Sequence, residues 1–426
     1  MRKISMPNPE KFSATGDGYI DGLLSGLRWE ADSLTYSFPK TVAAYGASYG
    51  YGETAKGFSG MTTSHQTAVT SVLAAYSDVI ALDFKEGSED GADLRFARTG
   101  ATSTAWAYSP HASAEGGDVW ISSTSGNFGA SAKGGYTYLT LLHETGHALG
   151  LKHTDEREGA FDVLPADHDS IEYSVMSYRS FVGASDNGGY RNGSWDYPQT
   201  LMLDDIRALQ HAYGARFDQV GEEQVYRWSP TTGELFIDGV GQGKPGANRV
   251  FMTVWTGGAE VTYDFSNYQT DLMIDLAPGA WSTVSQAQLA RLDVRVDPAK
   301  LAVGNIANAY LVSEGGVDNL IAAAAGGTGD DRLSGNAADN RLTGGAGDDV
   351  LDGRDGFDTA VYSGAAADYS WSPQDDGAWR ILDLRDGSPD GADTLIAIEQ
   401  LAFADGLVDL TPVNLIGPAH VGEALA

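Results

Sequence analysis

The segment His143-Glu144-Thr145-Gly146-His147-Ala148-Leu149-Gly150-Leu151-Lys152-His153 gathers three of the chain's eight histidines within eleven residues. On a helix advancing about 100° per residue, His147 lies roughly 40° round from His143 and one turn along, so both imidazoles face one ion. On a continued helix His153 would point about 240° away. Gly150 removes that conflict, because glycine takes the left-handed conformation that ends a helix and turns the chain back. Three neutral imidazoles with a fourth position left to water are the ligand set of a catalytic zinc site. Glu144, beside the first of them, is placed to take a proton from that water. A lone H-E-x-x-H is common on helices whose histidines bind nothing. The extension to H-E-x-x-H-x-x-G-x-x-H fixes five positions and is much harder to obtain by chance.

The extended form is the metzincin signature. That class also has a methionine turn beneath the metal, and Met176, within Ser174-Val175-Met176-Ser177-Tyr178, follows His153 by 23 residues. Around this centre the pattern is mixed. Residues 33–38, 93–97 and 118–121 alternate as half-buried strands do, and 62–82 place Val69, Val72, Leu73 and Tyr76 on one helical face. Further helices are predicted over about 137–150 and over 201–213, the latter closed by Gly214.

Beyond about residue 216 the chain becomes short strands and Gly-rich turns, and then a strict period of nine appears. The units are GGTGDDRLS (326–334), GNAADNRLT (335–343), GGAGDDVLD (344–352) and GRDGFDTAV (353–361). G-G-x-G-x-D-x-U-x is the unit of a calcium-binding parallel β-roll. Glycines at Gly326, Gly327, Gly329, Gly344, Gly345 and Gly347 permit the tight turns, whose carbonyls face the ion. Sixth positions supply side-chain oxygens: Asp331, Asn340, Asp349 and Asp358. The eighth positions, Leu333, Leu342, Leu351 and Ala360, point into the roll. One coil takes two units, so Asp331 is paired with Asp349 around one ion and Asn340 with Asp358 around another, the second pair being the weaker site.

The whole-chain arithmetic agrees. The 426 residues carry 58 acidic against 27 basic side chains, a net charge of -31, with 54 glycines and no cysteine. Such a charge argues against nucleic acid and anionic membranes as partners and suits hard cations. Lack of cysteine excludes disulfides, thiolate ligands and a nucleophilic thiol. No stretch approaches the roughly 18–20 apolar residues of a membrane span, and the N-terminal segment begins basic without the apolar core of a secretory signal peptide.

Together the zinc motif, the SVMSY turn and the nonapeptides resemble the serralysin family of secreted bacterial metalloproteases. The likeness extends to Ile20–Gly26 with Trp29 and to Met202-Leu203-Asp204-Asp205-Ile206. It implies an α+β metzincin catalytic domain followed by an all-β parallel β-roll/β-sandwich domain. The expected division is a flexible leader over 1–17 that self-cleavage can remove, a protease domain over 18–216, a calcium-binding domain with its cap over 217–410, and a tail over 411–426. The resemblance makes His143, His147 and His153 the zinc ligands and Glu144 the catalytic base. Met176 becomes a hydrophobic floor, and Tyr178 a movable ligand whose hydroxyl can leave the zinc to hydrogen-bond the reacting carbonyl. Trp106-Ala107-Tyr108 is the expected edge strand for the substrate backbone. It also implies one catalytic zinc, several structural calcium ions, protein or peptide substrates, a monomer, and secretion by a type I pathway; a protein inhibitor stays open. Two departures stand out. Thr154 occupies a position where the family usually has Pro, and Thr256 and Val261 stand where it often has aspartates, which leaves a further calcium site there in doubt. The alternatives are a catalytically inactive, calcium-dependent secreted binding or adhesion protein, and a metalloenzyme acting on non-peptide amides.

Overall fold

The computed structural model describes residues 7–46, 49–311 and 319–410. Two compact units make up the chain. One comprises Met1–Arg216 with Pro245–Trp255 and Ala290–Val303; the other comprises Phe217–Lys244, Thr256–Leu289 and Gly304–Ala426. One break between the units falls at Arg216–Phe217, near the change in composition, and two later segments return to the first unit. An ion-pair cluster explains why they belong to the first unit. The fully buried Asp196 carboxylate is held by Arg249 at 2.6 Å and by Arg291 at 2.9 Å, and neither arginine could be assigned to this partner from periodicity.

In the first unit a twisted sheet is built from β1 (Ser33–Ser37), β2 (Asp83–Glu86), β3 (Leu94–Thr99), β4 (Ala105–Ala107) and β5 (Val119–Ser122), in spatial order β2-β1-β3-β5-β4, with Ser59–Gly60 pairing β3 off this path. The first four are parallel where they touch, and β4 alone runs antiparallel to β5 at the end of the sheet. Helix α1 (Thr63–Ser77) is capped by Thr62, whose hydroxyl accepts from the His65 N–H, and it buries Val69, Val72, Leu73 and Tyr76. It ends at Ser77 and not near residue 82, because the next residues are drawn into pairing, with Ala81 N–H donating to the Gly214 carbonyl.

Helix α2 (Tyr136–Ala148) carries the first two histidines and is buried along almost its whole length. Its C-terminal carbonyls are all taken up. The Trp29 indole donates to Ala148 O, the Tyr213 hydroxyl to Leu149 O, and the Ser25 hydroxyl to Gly150 O. Gly150 lies at φ +101°, and a Cβ there would collide with the Leu27 carbonyl. Helix α3 (Leu203–Tyr213) closes the unit before Gly214.

Of the segment expected as a flexible leader over 1–17, residues 7–17 are described. Pro9–Lys11 pair antiparallel with Leu27–Trp29, and the Asp21 carboxylate accepts from the N–H groups of Thr15 and Gly16. Backbone pairing and a buried acceptor hold a stretch whose side chains gave no periodic signal. The expected tail over 411–426 lies outside the described residues.

The second unit is the roll. One parallel stack runs Met273–Asp275, Arg332–Ser334, Val350–Asp352, Ala392–Ile396. The other runs Glu260–Asp264, Ile321–Ala325, Arg341–Thr343, Thr359–Val361, Gln400–Phe403. Alternate nonapeptides feed alternate stacks, and Leu333, Leu342, Leu351 and Ala360 are fully buried between them. Antiparallel strands, Trp379–Asp383 on one stack and Gly406–Asp409 on the other, cover its far end.

Gly150→Ala combines a left-handed backbone with a direct collision, so it is expected to destabilise the first unit by at least about 2 kcal/mol. A fall in the urea midpoint with an unchanged m-value checks this.

Candidate active site and metal centres

The turn at Gly150 brings His153 back to the helix. His147 Nε2 lies 3.1 Å from His143 Nε2 and 3.0 Å from His153 Nε2. Each ring's other nitrogen is committed to an acceptor: His143 Nδ1 to Val175 O at 2.8 Å, His147 Nδ1 to Leu151 O at 2.9 Å, His153 Nδ1 to Glu156 Oε1 at 2.8 Å. Acceptors at Nδ1 fix the proton there, so all three converging Nε2 atoms present lone pairs. Three acceptors crowded at this distance have no proton to share, and a cation among them resolves the repulsion. Burial, and after it the neighbouring rings, push His143 well down and His147 to about 4. The neutral, ligating form therefore prevails at ordinary pH. The donor set is all nitrogen, as zinc prefers.

Around this cluster the expected residues take distinct places. Glu144 is buried, its Oε2 has no partner among the described residues, and burial pushes its carboxyl up to about 8. Tyr178 Oη is 2.7 Å from His153 Nε2, on the same side as the converging nitrogens. Met176 is fully buried, with its Sδ against Gly146 between the two helical histidines: a Cβ on that glycine would meet the sulfur at 2.8 Å. Two carboxylates absent from the motifs hold the methionine turn. Asp205 on α3 accepts from Ser174 Oγ, from Val175 N–H and from Met202 N–H at 2.7–2.9 Å. Asp169 accepts from Thr154 Oγ1 at 2.6 Å and from Ser177 Oγ at 2.7 Å. Thr154, where a proline was the family's usual choice, thus ties the third histidine's loop to the turn bearing Tyr178.

A cleft of about 280 Å³ is lined by Glu144, His147, His153 and Tyr178 on one side and by Ala105, Trp106 and Ala107 on the other. An adjoining pocket of about 260 Å³ lies between Ala105, Leu139, Glu144, Tyr178 and Tyr190. β4 is the free end of the sheet. Ser122 N–H donates to Thr104 O, and Tyr108 N–H donates to Asp118 O. Strand alternation then turns the backbone groups of Ala105 and Ala107 away from β5, towards the open edge. Tyr108 stands apart from this lining, its hydroxyl bonded to Glu53.

In the roll the sixth positions stack as ladders. Asp331 N–H donates to Asp349 Oδ1 at 2.7 Å, and Asp349 N–H to Asp393 Oδ1 at 2.9 Å. On the other side Asn340 N–H donates to Asp358 Oδ1 at 2.7 Å, and Asp358 N–H to Glu399 Oε2 at 2.8 Å. The pairing of first with third and second with fourth units is therefore present. Asp331 and Asn340 are already satisfied by the N–H groups of Gly327 and Asn336. Among the described residues the ladder oxygens left buried and unpartnered are Asp349 Oδ2 and Asp358 Oδ2, one on each ladder. Gly326 and Gly344 bring their backbones against the Asp331 and Asp349 carboxylates, where a Cβ would collide. Gly327 and Gly329 leave no room for a Cβ against the backbone of Tyr268 and of Thr270-Asp271; Gly345 and Gly347, at φ +104° and +126°, pack in the same way on the Gly327 and Gly329 carbonyls. Free carboxylate oxygens within a glycine cradle fit calcium. Asp393 and Glu399 were missed because they fall outside the unbroken register, although Gly391-Ala392-Asp393-Thr394-Leu395 preserves half of the unit. At Thr256 a neutral contact is found, with its N–H 3.0 Å from Asn319 Oδ1, and Val261 is buried.

Comparison with known proteins agrees with this geometry. Residues 28–164 match the matrixin family of peptidases, and residues 325–360 match four copies of the RTX calcium-binding nonapeptide repeat. Serralysin A of Dickeya chrysanthemi is 30% identical over 54% of this chain and 42% of its own length. Serralysin of Proteus mirabilis is 30% identical over 60% of this chain and 54% of its own length. Metalloprotease AprA of Pseudomonas entomophila is 30% identical over 71% and 59%. The chain thus spans about half the length of the curated relatives it matches.

Burial raises the ion-free carboxyls of Asp331 to about 6, and of Asp349 and Asp358 to about 7, from an ordinary value of 3.8. The folded ion-free roll therefore holds protons that the unfolded chain has released, so its stability is fullest below about pH 4 and falls as pH rises through 6–7. Calcium replaces those protons. At pH 6 calorimetry in two buffers of different ionisation enthalpy is expected to detect proton release on calcium binding, with weaker apparent affinity than at pH 8.

Proposed function

We propose that the chain is a secreted zinc endopeptidase whose roll is folded by calcium, a reading supported by its matches to the matrixin peptidases and to the RTX calcium-binding repeat and by its 30% identity to a serralysin over part of that protein's length. The observation that carries this is the convergence of His143, His147 and His153 beside a buried Glu144 oxygen without a partner. These three histidines hold the zinc. When bound, zinc supplies Lewis acidity, bringing a water's pKa down towards about 7 and polarising a carbonyl.

The chain's own groups do the rest. Glu144 takes the proton of the attacking water at its free oxygen and passes it to the leaving amine. With a dication held by the three histidines, the Glu144 carboxylate would be ionised despite its burial, ready to accept that proton. Tyr178 donates its hydroxyl to the carbonyl oxygen as charge gathers there. The outward backbone groups of Ala105 and Ala107 pair with the substrate as an added strand, holding the peptide extended across the cleft. Asp331, Asn340, Asp349 and Asp358, joined by Asp393 and Glu399, form the calcium-binding ladders. The protease domain is assigned to 18–216 and the calcium-binding domain to 217–410, with the packing exchanges described above. Type I secretion fits a roll whose stacked acids stay unfolded at low calcium and fold at millimolar calcium. No helix of the described residues is long and apolar enough to cross a membrane. An inactive binding protein is the less economical reading, since it gives no role to the unpartnered Glu144 oxygen.

Glu144→Gln is expected to retain stoichiometric zinc and to lose at least about a thousandfold in casein hydrolysis; metal analysis and a casein assay, each with and without a zinc chelator, check this. Appreciable residual turnover would overturn the base assignment. Ala107→Pro removes an outward N–H without touching the β4–β5 ladder, and is expected to lower kcat/KM by roughly tenfold or more.

A further inference from the structure

Beside the free edge strand stands an aromatic pair that the chemistry above does not use. Tyr51 is 85% exposed, yet its ring lies nearly parallel to that of Tyr108, at 12° and 6.2 Å between centroids. The Tyr51 backbone and the Tyr108 hydroxyl are held by one buried group. Glu53, fully buried, accepts the Tyr51 backbone N–H on Oε2 at 2.7 Å and the Tyr108 hydroxyl on Oε1. Gly50, at φ +53°, lets the loop close on this carboxylate, with which a Cβ would collide. The Glu53 carbonyl is in turn held by Thr99 Oγ1 of β3 at 2.9 Å.

The pair is also continuous with the substrate-facing edge. Tyr108 directly follows β4 and extends its ladder, with its carbonyl accepting from Gly117 N–H at 2.9 Å. The Asp118 carbonyl that receives the Tyr108 N–H belongs to a residue locked by its buried ion pair with Arg95 at 2.6 Å. An exposed ring on a held stretch of backbone, lying parallel to a second ring, offers an aromatic face to another side chain, and a tyrosine has few rotamers to lose in binding it.

We propose that Tyr51 and Tyr108, clamped by Glu53, form a remote subsite for an aromatic side chain of the peptide substrate, on the N-terminal side of the bond that is cut. This deepens the protease reading and rests on it. The polarity follows from pairing. An antiparallel added strand is the more stable kind, and against it the later residues of β4 face the earlier residues of the substrate. The reacting centre shares its cleft with Ala105–Ala107, so Tyr108 and Tyr51 face substrate residues about two to four places before the scissile bond. Glu53 acts as a positioning residue, and Tyr51 supplies the contact.

The test uses the zinc- and calcium-loaded protein and internally quenched peptides that share one cleaved sequence. They carry Trp or Ala at the second, third or fourth residue before the cut, or at matching places after it. The readout is the ratio of kcat/KM for the Trp over the Ala peptide, which does not depend on the fraction of a variant that is folded. In the wild type the ratio is expected to reach about 3–10 at one of the N-terminal places, to fall to about 1 in Tyr51→Ala, and to persist in Tyr51→Phe. Glu53→Gln should lower it while both peptides are still cut. A wild-type ratio near 1 at all N-terminal places, a ratio that survives Tyr51→Ala, or a preference confined to the C-terminal side overturns the proposal. A zinc-loaded wild type that cuts none of the peptides contradicts the protease reading itself, and this inference with it.

Discussion

Acceptor atoms that repel one another until a cation lies between them govern both units of this chain. In the first unit the His147 Nε2 lone pair meets those of His143 and His153 at 3.1 and 3.0 Å, each ring forced into that tautomer by an acceptor behind it. In the second, sixth-position side chains recur every nine residues but stack on partners 18 residues away, in two ladders, with one oxygen of Asp349 and of Asp358 left without a partner among the described residues. Leaving either set of acceptors buried and bare costs free energy, which a bound ion offsets in both units and which protons also offset on the carboxylates. The scaffold's task is therefore to hold ligands together against their own repulsion, and its rigid parts are found where that task is heaviest.

For zinc the rigidity comes from a helix buried on nearly all sides and from carboxylates one layer out. Asp205 pins the methionine turn from α3, and Asp169 joins the loop after His153 to the turn before Tyr178. A change in either would act through the orientation of the histidines and of Tyr178, with no ligand removed. For calcium the rigidity comes from glycine, since most of the repeat glycines run so close to a neighbouring turn or carboxylate that a Cβ cannot be accommodated.

Much of this was legible in the sequence because both metal sites are local in the chain. Spacing on a helix and a nine-residue period are geometric statements, so H-E-x-x-H-x-x-G-x-x-H and the register of Asp331, Asn340, Asp349 and Asp358 could be read directly. What escaped was non-local. Asp205 and Glu53 reach partners 31 and 55 residues away, Asp169 bridges Thr154 and Ser177 at spacings that belong to no regular element, and Arg249 and Arg291 draw two late segments into the first unit through one buried aspartate. Asp393 and Glu399 escaped for another reason: the antiparallel strands Tyr369–Pro373 and Trp379–Asp383 interrupt the repeat, which resumes only in part afterwards. Residues 9–11, read as a loose leader, are held by backbone pairing that leaves no side-chain signature.

X-ray absorption at the zinc edge of the purified protein tests the convergence of the three histidines most directly. The expected first shell is three imidazole nitrogens at about 2.0–2.1 Å with one or two oxygens, at one zinc per chain. A first shell with fewer than three imidazoles, or zinc bound well below one per chain in folded protein, would contradict it.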